Sequence, residues 1–157
     1  MGNAYFYHLT RRRAEQVLPD LLHRALHAGW RVAVRGRDGE RLAHLDQHLW
    51  LGPEEGFLPH GLADQPHAAD QPILLTTSSD VPNGAQCLMT VDSAGLVPEE
   101  VAAFARVCVL FDGTDPQALD VARGQWKALK DAGLHALYWS EESGTWEKKA
   151  EANAPEG

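Results

Sequence analysis

Strand-like and helix-like segments alternate along this chain, and that alternation constrains the fold more than any single motif. Asn3–Leu9 reads NAYFYHL, a short aromatic-rich run that predicts a first strand. Apolar residues then recur at Val17, Leu18, Leu21, Leu22, Ala25 and Leu26, with Thr10 as a candidate cap. Offsets of three and four predict an amphipathic helix. Pro19 falls inside it, so either the helix kinks there or its regular part begins near Leu18 with the proline in its first turn. Gly29 closes the helix and Arg31–Arg35 (RVAVR) predicts a second strand. Arg37-Asp38-Gly39 makes a turn with Asp38 as cap, and Leu42, Leu45 and Leu49 keep helical spacing up to the Gly52-Pro53 breaker.

Residues Pro53 to Pro72 are rich in Pro, Gly, His and Asp and predict a long loop, of the kind that is functional or disordered in a compact domain. Ile73–Thr76, Gln86–Val91 and Val107–Phe111 predict buried strands, the last apolar throughout, as a strand covered on both faces is. A short helix follows Pro98 through Phe104. Asp115 and Pro116 supply a cap and first helical residue for the last helix, which carries Ala118, Val121, Ala122, Trp126 and Leu129 and ends at Gly133. Leu134–Trp139 predicts a final strand, followed by a turn at Ser143-Gly144. Such alternation implies βαβ units, and right-handed crossovers narrow these to an open, doubly wound, mostly parallel α/β sheet with helices on both faces. One domain is expected over residues 1–147, with a disordered tail at 148–157 that is charged, then rich in Ala, Pro and Gly.

The 157 residues suffice for one core without staples, and 44% hydrophobic with 23% charged content is ordinary for a globular chain. Apolar runs are too short to span a bilayer, and the N-terminus lacks a signal-peptide pattern. Cys87 and Cys108 both lie in apolar strand-like runs, as buried free thiols do. Together these place the chain in the cytoplasm. Its net charge of −8 argues against gripping a nucleic-acid backbone, while leaving room for one small basic site that takes an acidic peptide.

Motifs for catalysis are absent. No G-x-G-x-x-G follows the first strand and no G-x-x-x-x-G-K-[ST] occurs; Gly36–Gly39 (GRDG) is an ordinary strand-to-helix turn. His23 and His27, and likewise His44 and His48, share helix faces but lack a third ligand and an H-E-x-x-H context, so no metal is expected. No G-x-S-x-G elbow holds a serine. The acidic pairs Glu54-Glu55, Glu99-Glu100 and Glu141-Glu142 are sequence neighbours whose side chains diverge. No cofactor is implied.

Two segments remain. Leu45–His60 (LDQHLWLGPEEGFLPH) places Trp50 and Phe57 at and after a helix end, where loops carry binding sites. Ala122–Lys127 (ARGQWK) puts Arg123 and Lys127 one turn apart on the last helix, with Trp126 three residues from Arg123. Either Trp126 is core and the cations are solvated, or the three line one binding face; spacing alone leaves both open.

AYFYHL, GWRVAVR, LDQHLW, FLPH, QPILL, ARGQWKALKDAG and YWSEESGTWE occur in an order and spacing that resemble the chi subunit family of bacterial DNA polymerase III along nearly the whole chain. The resemblance implies a fold like mononucleotide-binding α/β domains without a known nucleotide site. It implies an accessory subunit of the clamp-loader complex, not an enzyme in its own right. Its partners would be the acidic, Phe-terminated tail of single-stranded DNA-binding protein and the small psi subunit. Trp50, Phe57, Arg123, Trp126 and Lys127 match the family's tail site. Arg123 would meet the terminal carboxylate with its guanidinium fork, Trp50 and Phe57 would hold the tail's Phe ring, and Lys127 would face its acidic residues. Where some relatives carry a further basic residue one turn before the arginine, this chain has Leu119, which lowers the expected salt sensitivity of binding. The competing reading is an α/β enzyme with nucleotide-dependent chemistry, which a shift of melting temperature on nucleotide addition would reveal.

Overall fold

The computed structural model describes residues 3–10, 13–50, 60–62, 68–78, 82–143 and 145–154, with the backbone alone at Trp50. In chain order the elements are β1 (Asn3–Leu9), α1 (Ala14–His27), β2 (Val32–Arg35), α2 (Gly39–Trp50), β3 (His60–Leu62), β4 (Ile73–Thr76), β5 (Cys87–Thr90), α3 (Pro98–Ala103), β6 (Arg106–Asp112), α4 (Pro116–Asp131), β7 (His135–Ser140) and β8 (Glu147–Ala152). The eight strands form one open sheet in the order β3-β4-β2-β5-β6-β1-β7-β8. Every pairing is parallel except β7 with β8.

Side chains alternate across the sheet, as the pleat requires. Val32, Val34, Ile73, Leu75, Cys87, Met89, Cys108 and Leu110 meet α1 and α2 on a first face. Ala4, Phe6, Ala33, Leu88, Val107, Val109, Phe111 and Ala136 meet α3 and α4 on a second. The doubly wound architecture is the one the alternation predicts, and Cys87 and Cys108 are buried free thiols on adjacent strands.

Local chemistry sets the helix boundaries. Asp38 Oδ1 accepts from the Glu40 N–H at 2.9 Å at the start of α2, and Asp115 Oδ1 accepts from the Gln117 N–H at 3.0 Å at the start of α4. α1 begins later than Thr10 would have it: Arg13 is its cap, and the Gln16 side chain accepts from the Arg13 N–H at 2.8 Å. Pro19 therefore lies inside α1, past its first turn, next to fully buried Leu18. Packing of that apolar face outweighs the one backbone hydrogen bond the proline removes. Arg35 ends β2 on the second face, almost wholly buried. Its Nη1 donates to Glu100 Oε2 at 3.0 Å and to the Gly95 carbonyl at 3.1 Å, tying α3 to the sheet.

Two strands depart from the sequence expectation. β3 falls within the Pro53–Pro72 segment expected to be loop. Its three residues, His-Gly-Leu, carry no periodicity; a tertiary contact holds them, with buried His60 Nε2 3.1 Å from Asp46 Oδ1 on α2. β8 occupies the first half of what was expected to be a disordered tail over 148–157. Its charges are those of an edge strand facing water, while Ala152 is buried in the second core. Asn153 Nδ2 then donates to the carbonyls of Lys130 and Leu134, both at 3.0 Å, pinning the strand end to the end of α4. Among the described residues no helix is long and apolar enough to cross a membrane.

Candidate functional site

α4 lies on the second face because Ala118, Ala122 and Leu129 recur at helical spacing and are buried there. Gln125 Nε2 donates to the Ala94 carbonyl at 3.0 Å and holds the helix against the segment before α3. Arg123 and Lys127 lie one turn apart on its exposed side. Neither forms an ion pair among the described residues. In a chain of net charge −8 they are a local reversal of sign.

Trp126 lies between these two cations on the same helix. It is mostly buried and packs edge-to-face on Phe6 of β1, centroids 5.4 Å apart, and on Tyr138 of β7, 5.9 Å apart. Tyr138 extends the ring cluster to Phe111 at 5.9 Å, and its hydroxyl lies 3.0 Å from His8 Nδ1. His8 stacks on Phe111 at 5.2 Å and sits directly over Gly113, where a Cβ would come within 1.9 Å of the imidazole. Burial pushes the Tyr138 hydroxyl above its ordinary value, and the nearby Arg123 charge works against that rise.

The five residues singled out from the sequence are placed unevenly. Arg123, Trp126 and Lys127 come together on α4. Trp50 is the last residue of α2, whose Leu42, Leu45 and Leu49 pack in the first-face core, on the opposite side of the sheet from α4. Phe57 lies outside the described residues. His8, Phe111 and Tyr138 were missed. Their signal was present in strand alternation: Phe6 and His8 share a face of β1, and Ala136 and Tyr138 share a face of β7.

A second feature lies at the carboxyl ends of β1, β2, β5 and β6. The helices following β1 and β6 leave toward opposite faces, which makes this the topological switch point where doubly wound sheets take ligands. The cleft there measures about 920 Å³ and is lined by Arg13, Arg37 and Arg41, but also by Glu15, Asp92, Asp112, Asp115 and Asp120. Arg41 is committed to Asp92, 3.3 Å away, and the bond holds its guanidinium above its ordinary value. Five carboxylates line the cleft against three arginines, a poor setting for a phosphate group. His23, His27, His44 and His48 are exposed, and no three His, Cys, Asp or Glu side chains among the described residues group as metal ligands.

Fold and site define an open α/β domain of the mononucleotide-binding type whose exposed cations Arg123 and Lys127 sit on a helix flank, away from the strand-end cleft. The family model for the DNA polymerase III chi subunit, HolC, matches residues 1–136, and the chain belongs to that family, accessory subunits of a replicative polymerase. The chi subunit of Escherichia coli is 25% identical over 142 residues, covering 86% of this chain and 95% of that protein. The chi subunit of Pseudomonas aeruginosa is 28% identical over 120 residues, covering 75% and 80%. A probable chi subunit of Rickettsia prowazekii is 23% identical over 111 residues, covering 68% and 67%.

Proposed function

We propose that this chain links the polymerase's clamp loader to single-stranded DNA-binding protein by binding the acidic, Phe-terminated tail of that protein along α4, while the psi subunit tethers it to the loader. The observation that carries this reading is the exposed pair Arg123 and Lys127, without an ion pair among the described residues, beside a ring cluster on a chain otherwise strongly acidic. An acidic tail is repelled by most of this surface and steered to that flank. Arg123 takes the terminal carboxylate with two parallel N–H donors, and Lys127 faces the acidic side chains. Trp126, held in place by its packing on Phe6 and Tyr138, offers the tail's Phe ring a surface on this flank. Catalysis is not part of this role.

The test is fluorescence anisotropy of labelled tail peptides, with and without the terminal Phe, against wild type and Arg123→Ala. Binding that requires the Phe and is lost in a folded Arg123→Ala supports the adaptor. Binding indifferent to the substitution moves the site off α4, and no binding removes the tail from the reading. The strand-end cleft is the one feature that favours a nucleotide-dependent enzyme. A rise in melting temperature with ATP or GTP at millimolar concentration would revive that alternative, and none is expected.

A further inference from the structure

Charge is sorted along α4. Near its N-terminal end Asp112, Asp115 and Asp120 line the strand-end cleft. Glu142, past the end of β7, is close enough to act on the Tyr138 hydroxyl. Further along the helix the sign reverses, with Arg123, Lys127 and Lys130 all exposed. None of these three forms an ion pair among the described residues. The lysines of β8 are already engaged, Lys148 by Glu151 at 3.1 Å and Lys149 by Glu147 at 3.2 Å.

Charge is sorted around the helix as well. At about 100° per residue, Arg123, Lys127 and Lys130 fall within about 60° of arc. They lie toward the side that Trp126 occupies, whereas Asp120 and Asp131 fall on the far side of the stripe. The action of Arg123 on Tyr138 agrees with that placement. Register sets Ala150 beside Tyr138 and Ala152 beside Ala136 on β8, and these small side chains keep the sheet edge low beside the rings. The C-terminal end of α4 is also prepared for an anion. Helix-end carbonyls ordinarily repel one, but here they are occupied. The Lys130 carbonyl accepts from the Gly133 N–H at 3.1 Å and from Asn153 Nδ2 at 3.0 Å, and the Leu129 carbonyl accepts from the Leu134 N–H at 3.0 Å. Gly133 supplies the left-handed φ of +80° that this closure requires.

We propose that an acidic peptide tail has one polarity on α4. Its terminal residue sits at Arg123, the residues before it run toward the helix C-terminus, and Lys130 reads a carboxylate about three residues upstream. The proposal rests on the adaptor reading above and adds to it a direction and a specificity-determining residue. Lys130 lies seven positions after Arg123, a rise of about 10 Å along the helix. An extended peptide covers that distance in about three residues. The opposite course would carry the tail's carboxylates past Asp120 and Asp115 and leave Lys130 unused. Like charges set against each other in that way select against the wrong orientation.

The test pairs affinities with a positional probe. Two acetylated peptides end in Phe and carry no charge except the terminal carboxylate and, in one of them, a single Asp three residues before the Phe. Both are titrated by fluorescence anisotropy against wild type, Arg123→Ala and Lys130→Glu, whose substituted positions are exposed. Lys130→Glu is expected to weaken the Asp peptide by about three- to tenfold and the uncharged one by less than about twofold. A nitroxide at the peptide's N-terminal end is expected to broaden the amide signals of Lys130 and Asn153 and to spare those of Asp115 and Gln117. Broadening at Asp115 and Gln117 instead reverses the polarity and overturns the proposal. Equal losses for the two peptides overturn the reading of a carboxylate by Lys130. Binding that Arg123→Ala abolishes and Lys130→Glu leaves unchanged overturns this inference and leaves the adaptor standing, whereas wild type that binds neither peptide overturns both.

Discussion

Replacing Trp126 with Ala is expected to act first on stability. An indole in a core contributes about 3–5 kcal/mol against Ala, and Trp126 keeps only a minor part of its surface exposed, so most of that applies. Its edge-to-face contacts with Phe6 at 5.4 Å and Tyr138 at 5.9 Å add back part of the rest, at about 0.5–1.5 kcal/mol each. The expected loss is about 2–4 kcal/mol, which in a domain of this length lowers the melting temperature by about 6–12 °C. Urea unfolding followed by far-UV circular dichroism reads it as a lower midpoint at unchanged slope. Lys127→Ala, one residue on and exposed, should stay within about 0.5 kcal/mol of wild type and serves as the control. A Trp126→Ala protein as stable as Lys127→Ala would refute the packing argument and leave Trp126 a surface ring. Loss of tail binding in Trp126→Ala is interpretable only against this stability measurement.

Three further outcomes follow from contacts described above. Gly113→Ala places a Cβ 1.9 Å from the His8 imidazole, so it should cost about 1–3 kcal/mol, and the added His8→Ala change should relieve part of that cost; strict additivity would disprove the clash. Glu100→Ala leaves the Arg35 guanidinium, 6% exposed, without its carboxylate, at an expected cost of about 1–3 kcal/mol; an unaltered urea midpoint would show that the Gly95 carbonyl suffices. Glu151 is held below its ordinary value of 4.5, first by its hydrogen bond with His135 and then by Lys148. Because the folded state lowers this pKa, the contribution is present above 4.5 and fades as pH falls through the lower folded value. The stability gap between wild type and Glu151→Gln should therefore close on acidification, and a gap that widens would contradict the assigned partners.

Periodicity carried the sequence reading where long amphipathic or apolar runs existed. Leu42, Leu45 and Leu49 marked α2, and the VCVLF run marked the doubly covered β6. It failed where tertiary contacts decide. β3 is held by the His60–Asp46 pair, 14 residues apart, and β8 by its pairing with β7 and by Asn153 on the end of α4. The start of α1 was misplaced because Arg13 is an unusual cap, and the Gln16 bond that marks the true start is an indirect cue. At the candidate site, spacing located Arg123, Trp126 and Lys127 on one helix but said nothing of what lies beneath them. Tyr138 and His8 reach that cluster from strands 130 residues apart in sequence, a juxtaposition only the sheet order creates.

That sheet order also governs when the molecule can assemble. Among the described residues β1 precedes the other strands, yet its ladder partners are β6 and β7, which begin at Arg106 and His135. The β1–α1–β2 connection spans a gap that β5 and β6 must later fill. A nascent chain that stops short of β6 holds β1 with both edges unpaired, including its apolar Ala4, Phe6 and Leu9. Closure of the centre is thus a late, long-range event, the kind that slows folding and exposes strand edges meanwhile. Protein truncated within α4 keeps β6 but lacks β7 and β8, and should reach the cell's proteases with one edge of β1 unpaired.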